Sequence, residues 1–542
     1  LPVRFLHCSG DAHINRRASL FIDLIEIHNG IFLIWILDNT RNSCIFVLFI
    51  LRRKCCLSNS AEIMAKIIGR KQEVEELLRL YNRPENQLVT VRGRRRVGKT
   101  FLIRETFKNK FAFYHTGLSP LDLKGKSLLK EELKAFGISL REYGDQHKRR
   151  PADWTEAFLW LKELLKQKPE DERQVVFIDE MPWMDTPRSN FVTAFEYFWN
   201  EWASGQDNIM LIACGSASGW IQDHFIDSPG GFYGRSNTDI HLPPFTLQES
   251  EQLLEYHDIQ LSRYDIAELY MAVGGIPYYL NLTAPGDSVA QTIDRLFFKK
   301  KSKLGDEFNR LFNSIFVKGE ASRAVIRLLS TRRGGYSRED IIKKTGLPDG
   351  KEMSRLLRSL AAADFIELYQ PLGNDKRHLQ YRLIDPFCWF WLQQVEGKLR
   401  EEHYWQNHQN HPELNSWRGI AFEELCLLHT YQIKCALGVG QVASTQSNWL
   451  IPGDDRTKGH QIDLVIDRAD RVVNLCEMKC YNDEFAVTAE YAMTIRGRVN
   501  AIKDHVSKRS SIQPTLVTTF GLKPGKNSSV FTKTITLDDL FK

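Results

Sequence analysis

The sequence predicts an α/β protein of several units: a parallel sheet first, a helical middle, and a second α/β unit at the end. Three observations predict this. Strand-length apolar runs at 88–91, 174–179 and 209–214 are each followed by a helix-like stretch. Residues 320–385 change to short helical periods and then two short strands. The chain has 542 residues, too many for one core at about 150 residues per domain. With 43% hydrophobic and 26% charged residues it is a globular protein, and a net charge of +6 permits a nucleic-acid surface without arguing for one.

The first 60 residues differ from the rest. They begin at Leu1 and hold four of the ten cysteines (Cys8, Cys44, Cys55, Cys56), with apolar runs at 31–37 and 44–51. A spanning helix needs about 20 apolar residues, and Asp38 and Arg41 fall near the middle of any such span. A signal peptide is shorter and followed by a small-residue cleavage site. The third reading is an over-extended start, with Met64 opening the native chain and 1–63 a non-native or disordered extension. Under that reading no stable membrane association is expected. The six remaining cysteines form no disulfide framework and favour a reducing cytoplasm.

Val74, Leu77, Leu78 and Tyr81 then fall at helical spacing behind Gly69-Arg70. This helix is either a plain core helix or a neighbour of a base pocket. Next come Leu88-Val89-Thr90-Val91 and the loop Gly93-Arg94-Arg95-Arg96-Val97-Gly98-Lys99-Thr100, which meets the pattern G-x-x-x-x-G-K-[ST] in full. Gly93 and Gly98 permit the tight turn that aims successive N–H groups at a phosphate. Lys99 supplies a charge for the β- and γ-phosphates, Thr100 a hydroxyl for Mg²⁺, and the helix start its positive end. These residues imply a nucleoside triphosphate.

The run Gln174-Val175-Val176-Phe177-Ile178 ends in Asp179-Glu180, with the width of a buried parallel strand. Acids at such a strand's carboxyl end lie in the ligand crevice of an open α/β sheet. Asp179 is the candidate for Mg²⁺ and Glu180 for polarising the attacking water. After the run at 209–214, Ser216 is the candidate to touch the γ-phosphate or the water, with a helix N-cap as the plainer alternative. Arg235, after Tyr233-Gly234, is a candidate for neutralising transition-state charge, in its own or a neighbouring subunit, or a surface arginine.

Taken in order, Ile-Ile-Gly-Arg, Gly-Arg-Arg-Arg-Val-Gly-Lys-Thr, Val-Val-Phe-Ile-Asp-Glu, Cys-Gly-Ser, Tyr-Gly-Arg and Gly-Gly-Ile-Pro-Tyr-Tyr resemble the prokaryotic archaeal-type ATPases of the AAA+/STAND grouping, from about Ile67 to Leu282. The resemblance implies a P-loop NTPase with a five-stranded parallel sheet, a helical lid after Pro244-Phe245, and ATP as the nucleotide.

Further on, helical stretches at 321–330, 337–344 and 352–362 precede two strands at 365–369 and 379–383 around a turn at 371–375. That is the winged-helix pattern, whose third helix, here with Lys351, Arg355 and Arg358, either enters a DNA groove or serves as a protein dock. The polar stretch 396–415 reads as linker and helix. Its His403, His408 and His411 lack zinc-site spacing and read as solvated.

In the last third a helix opens at 419–425, a strand at 461–467 turns at 468–470, and a second strand runs over 472–479. Glu477 and Lys479, two apart, share a face. If Asp467 and Val473 flank the turn, Asp463 lies opposite Glu477. Asp463, Glu477 and Lys479, with Glu423 on the helix before them, are the residue types of metal-dependent phosphodiester cleavage. Cys476 and Cys480 read as packing. From about Trp417 to Leu540 this resembles the PD-(D/E)xK nucleases and the domain of unknown function that follows such ATPases, with Ile462-Asp463 in place of Pro-Asp.

The expected organisation is an extension at 1–63, an ATPase domain at 64–245 and a helical lid at 246–317. A winged helix follows at 318–395, then a linker helix at 396–416 and a restriction-endonuclease-like α/β domain at 417–542. ATP and Mg²⁺ are the expected cofactors, DNA or RNA and a second copy of the chain the expected partners. The alternatives are a nucleotide-dependent switch with a non-catalytic, partner-binding tail and a membrane-tethered sensor.

Overall fold

The computed structural model describes residues 21–27, 31–38, 43–50, 67–119, 128–227, 238–315, 319–372, 379–398, 401–451 and 460–542. The chain divides into two compact units, Leu1–Lys71 and Gln72–Lys542. In the first, β1 (Phe21–Ile27), β2 (Ile31–Asp38) and β3 (Ser43–Ile50) pair antiparallel in sequence order. The apolar stretches 31–37 and 44–50 are thus strands and not halves of a helix, as their isoleucine, valine and aromatic content favours. Three paired strands therefore lie within the stretch expected to be disordered or non-native. Met64 lies outside the described residues. Among the described residues no helix is long and apolar enough to cross a membrane.

The second unit opens with α1 (Lys71–Tyr81), buried through Val74, Leu77 and Leu80; Leu80 takes the inward place expected of Leu78. Five parallel strands follow: β4 (Gln87–Arg92), β5 (Phe111–Thr116), β6 (Gln174–Asp179), β7 (Ile209–Gly215) and β8 (Thr238–His241). Their order is β5-β6-β7-β4-β8. Every residue of β6 and β7 is buried, which accounts for their unbroken apolar runs. The connecting helices are α2 (Lys99–Thr106), α3 (Leu128–Glu142), α4 (Trp154–Lys166), α5 (Phe191–Glu201) and the single turn α6 (Ser218–Ile221). Phe136, Trp154, Phe158, Phe191 and Trp199 lie in the core these helices build with the sheet. This topology brings the carboxyl ends of β4, β6 and β7 together, because β7 lies between the other two.

Helices α7 (Leu247–Tyr256), α8 (Arg263–Val273) and α9 (Glu307–Ile315) follow, α7 entered through a reciprocal Thr246–Glu249 cap. Next come α10 (Gly319–Leu329), α11 (Arg338–Thr345) and α12 (Lys351–Ala362), then antiparallel β9 (Ile366–Tyr369) and β10 (Gln380–Leu383). The expected turn at 373–375 lies outside the described residues. Helix α12 packs on α6, and Arg355 and Arg358 each approach Asp223 at 3.6 Å, so its cations face an acid of the nucleotide-side half.

After α13 (Pro386–Phe390), the stretch read as a linker is docked. Trp405 is fully buried, its backbone N–H donating to Asp294 Oδ1 at 2.7 Å and its indole N–H to Glu268 Oε1 at 3.2 Å. Polar composition concealed one large apolar anchor. Helix α14 (Pro412–Leu428) then leads to a mixed sheet of β11 (Ser444–Ile451), β12 (His460–Arg468), β13 (Val472–Lys479), β14 (Ser511–Thr518) and β15 (Lys533–Thr536) in sequence order. The first two pairings are antiparallel and the last two parallel. Helix α15 (Ala489–Ile502) makes the crossover from β13 to β14.

Candidate functional site

The loop after β4 turns where only glycine fits. Gly93 has φ +147°, and a Cβ there would sit 2.3 Å from the Leu242 carbonyl oxygen. Gly98, at φ +96°, precedes the first residue of α2. The Gly93 N–H donates to Ser218 Oγ at 3.0 Å, tying the loop to α6. Lys99 is buried, and its Nζ donates to the carbonyls of Gly93 (2.9 Å) and Arg94 (3.1 Å).

The end of β6 meets this loop. Thr100 Oγ1 donates to Asp179 Oδ2 at 2.7 Å. Burial, and then the neighbouring Glu180 charge, push the Asp179 carboxyl above the usual range, while Thr100, the Cys214 thiol and Lys99 offset part of this. Glu180 sits in the left-handed region at φ +46°, and its Oε2 accepts from both Ser216 N–H (3.0 Å) and Ser216 Oγ (2.8 Å). Ser216, fully buried, therefore orients Glu180. It does not cap α6, whose N-cap is Ala217. Gly98, Lys99, Thr100, Asp179, Glu180 and Ser216 converge through these contacts and the meeting of β4, β6 and β7. Arg235, with Phe232, Tyr233 and Gly234, lies outside the described residues.

The three loop arginines each meet another protein side chain. Arg94 is ion-paired with Asp385, Arg95 lies over the Trp183 ring and Arg96 pairs with Glu307. Val97 is buried. Arg94, Arg95 and Arg96 belong to the loop through their backbone, and the side chains of Arg94 and Arg96 are engaged by acids. Asp385, Glu307, Ser218 and Cys214 were not found in the sequence. Asp385-Pro386 is a legible helix start, but its pairing with Arg94 spans 291 positions.

Residues 67–282 match the family model of an ATPase domain found predominantly in Archaea. Residues 67–282 form a P-loop ATPase domain. The chain is similar to an uncharacterized protein of Methanocaldococcus jannaschii, 20% identical over 363 residues, 66% of this chain and 76% of that one. It is also similar to an uncharacterized ATP-binding protein of the same organism, 46% identical over 43 residues, 8% of this chain and 73% of that one. Among solved structures it is similar to a Walker-type ATPase of Pyrococcus abyssi, 18% identical, covering 60% of this chain and 96% of that one with a TM-score of 0.39.

The second candidate cluster lies in the C-terminal sheet. Asp467 pairs with Val473 and Leu464 with Cys476, and the same register puts Asp463 opposite Glu477. Asp463 Oδ2 accepts from the Met478 N–H at 3.3 Å. Glu477 is buried, accepts from Tyr491 OH at 3.0 Å, is ion-paired with Arg498, and has Lys479 Nζ at 3.7 Å. Glu423, on α14, is ion-paired with Arg333 from the α10–α11 connection. A cavity of about 310 Å³ beside them is lined by Arg332, Arg333, Arg382, Glu424, Gln461 and Asp463 among others. Arginines answer Glu423 and Glu477, and among the described residues no group of three His, Cys, Asp or Glu side chains is placed to hold a metal ion. Arg333 and Arg498 were not found in the sequence, since each contact joins separate elements.

Burial, and then the charge of Asp463, push the Glu423 carboxyl up to about 7, with Arg333 and Lys479 pulling the other way. Between its ordinary 4.5 and about 7 the folded chain holds a proton here that the unfolded chain has lost, so stability falls as pH rises through that window. Glu423→Gln is expected to remove this decline, gaining on the order of 2 kcal/mol over wild type on going from pH 5 to pH 8. Denaturant melts of both proteins at the two pH values measure it. The buried His429, held down to about 4 by its apolar surroundings, titrates in both proteins and cancels from the difference.

Proposed function

We propose that this protein is a Mg²⁺-dependent ATPase of the AAA+/STAND type, coupled to a winged helix and to a nuclease-like C-terminal region that binds or cleaves nucleic acid. The observation that carries the ATPase reading is the chain of contacts Thr100–Asp179 and Ser216–Glu180 at the mouth of the phosphate loop. A hydroxyl beside a desolvated carboxylate is a donor set suited to a hard divalent cation, so Thr100 and Asp179 are the residues that would hold Mg²⁺. Bound there, the ion supplies charge neutralisation for the phosphates. Backbone N–H groups of 93–98 and the Lys99 ammonium bind the phosphates. Glu180, fixed by two hydrogen bonds from Ser216, orients the attacking water and accepts its proton. Arg235 remains the proposed neutraliser of transition-state charge.

For the middle unit, three helices and a two-stranded sheet in order support the winged-helix reading. For the tail, the Asp463–Glu477 register, Lys479 and a helix bearing Glu423 support the nuclease-like reading. The arginine-paired carboxylates do not fit a metal ion in this arrangement. That same observation favours a second reading, a nucleotide-dependent switch whose tail only binds its partner. A second copy of the chain and a cytoplasmic location are parts of the proposal.

The test incubates the protein with Mg²⁺ and single- and double-stranded DNA and RNA, with and without ATP, beside Glu477→Ala and Lys99→Ala. Cleavage lost in both variants is expected for an ATP-gated nuclease. Intact ATP hydrolysis with no cleavage of any substrate overturns the cleaving reading and leaves the switch.

A further inference from the structure

A phosphate loop works through its backbone, so the residues between its glycines are free to do something else. In this chain they are three consecutive arginines and a valine, and two of the arginines reach buried acids far downstream. Arg94 is fully buried, its Nε 2.9 Å from Asp385 Oδ2 and its Nη2 donating to Asp385 Oδ1 at 3.2 Å. Its guanidinium lies 5.0 Å from the Phe365 ring centroid and 5.7–5.8 Å from those of Tyr279 and Phe387. Arg96, held at φ +74°, places Nη1 2.7 Å from Glu307 Oε1 and its guanidinium 4.2 Å from the Tyr278 ring centroid. Glu307 is itself buried and accepts from Tyr279 OH at 3.1 Å.

We propose that Asp385 and Glu307 are positioning residues for nucleotide binding: through Arg94 and Arg96 they set the phosphate-loop conformation, and so make nucleotide affinity depend on the placement of α13 and α9. The mechanical link is short. The Arg94 carbonyl is one of the two acceptors that hold Lys99 Nζ, so the peptide anchored by the Arg94 side chain also determines where the phosphate-binding ammonium points. At the far end, Asp385 Oδ1 accepts from the Cys388 N–H at 2.7 Å and so caps α13, directly after β10. A shift of α13 against the sheet displaces Asp385, and with it Arg94 and the loop. The link runs in both directions, because a binding free energy shared by two sites is reciprocal.

A buried ion pair is poor evidence for stability, since removing one partner strands the other while removing both is often neutral. That asymmetry supplies the test. Asp385→Asn keeps the cap and volume but strands Arg94, and Arg94→Met/Asp385→Asn removes both charges. ADP affinity and ATP KM and kcat are measured for each, alongside thermal melts and hydrogen exchange of 385–391 with and without ADP.

The expected result is that the double variant melts near wild type yet binds ADP at least about fivefold more weakly, with the loss in KM and not in kcat. ADP is expected to slow exchange of 385–391 in wild type and not in the double variant. Glu307→Gln is expected to weaken ADP binding in the same way by its separate route. A double variant that regains wild-type affinity along with wild-type melting assigns the pair a purely structural role and overturns the proposal. So does a folded Asp385→Asn with wild-type affinity. If Asp385→Asn does not fold, the double variant decides alone, and a double variant that also fails to fold shows the pair to be structural and overturns the proposal as well.

Discussion

Glu180→Gln is expected to bind ATP with wild-type affinity and to hydrolyse it about 10²–10⁴-fold more slowly. The amide keeps the volume of the side chain and retains an oxygen to accept from Ser216, so the loop and its neighbours stay in place. What is lost is the carboxylate proposed to take a proton from the attacking water. Glu180 stands in the left-handed backbone region directly after the last buried residue of β6, and its carboxylate is held by a serine N–H and hydroxyl at the end of β7. Such strain persists where surrounding contacts over-determine it, which is common at functional sites. Ser216→Ala is expected to fall between wild type and Glu180→Gln, because the Ser216 N–H still holds the carboxylate. Single-turnover hydrolysis and equilibrium binding of a non-hydrolysable analogue separate the two effects. Turnover equal to wild type in Glu180→Gln removes Glu180 from the mechanism.

Lys99→Ala is expected to lose nucleotide binding altogether at concentrations that saturate wild type. Lys99 is buried, and without nucleotide its ammonium is satisfied by two carbonyls of its own loop. A bound triphosphate would add a much stronger, charge-assisted partner. Alanine removes that attraction and strands the carbonyls of Gly93 and Arg94, so the loop loses its internal brace as well. Arginine at 99 is not expected to rescue binding, because a planar fork cannot fit the space of a compact ammonium. Binding of a fluorescent ATP analogue checks both variants, and near-native binding by Lys99→Ala places the nucleotide elsewhere.

These two predictions rest on residues legible in the sequence. The phosphate loop is visible because backbone geometry and phosphate chemistry impose it within eight consecutive positions. Asp179-Glu180 is visible because a fully buried parallel strand must be apolar along its length, so acids at its end stand out. The Asp463–Glu477 register was legible for a similar reason, since a hairpin turn and a period of two determine which residues face each other. Ser216 was legible only as a neighbour of the site. Its contact with Glu180 depends on β7 lying beside β6.

Everything that joins distant segments was settled by tertiary structure. Three consecutive arginines carry no mark of a partner in the loop, and packing sets Arg94 in the core against Asp385 and Arg96 against Glu307. A polar stretch read as a linker, and one buried tryptophan docks it. Two carboxylates read as metal ligands, and arginines from separate elements pair with them. Local constraints write themselves into spacing, whereas a charge carries no mark of its partner until the chain has folded. The sequence alone therefore determined the phosphate loop and the acids that end β6, and the tertiary structure alone decided what that loop is attached to.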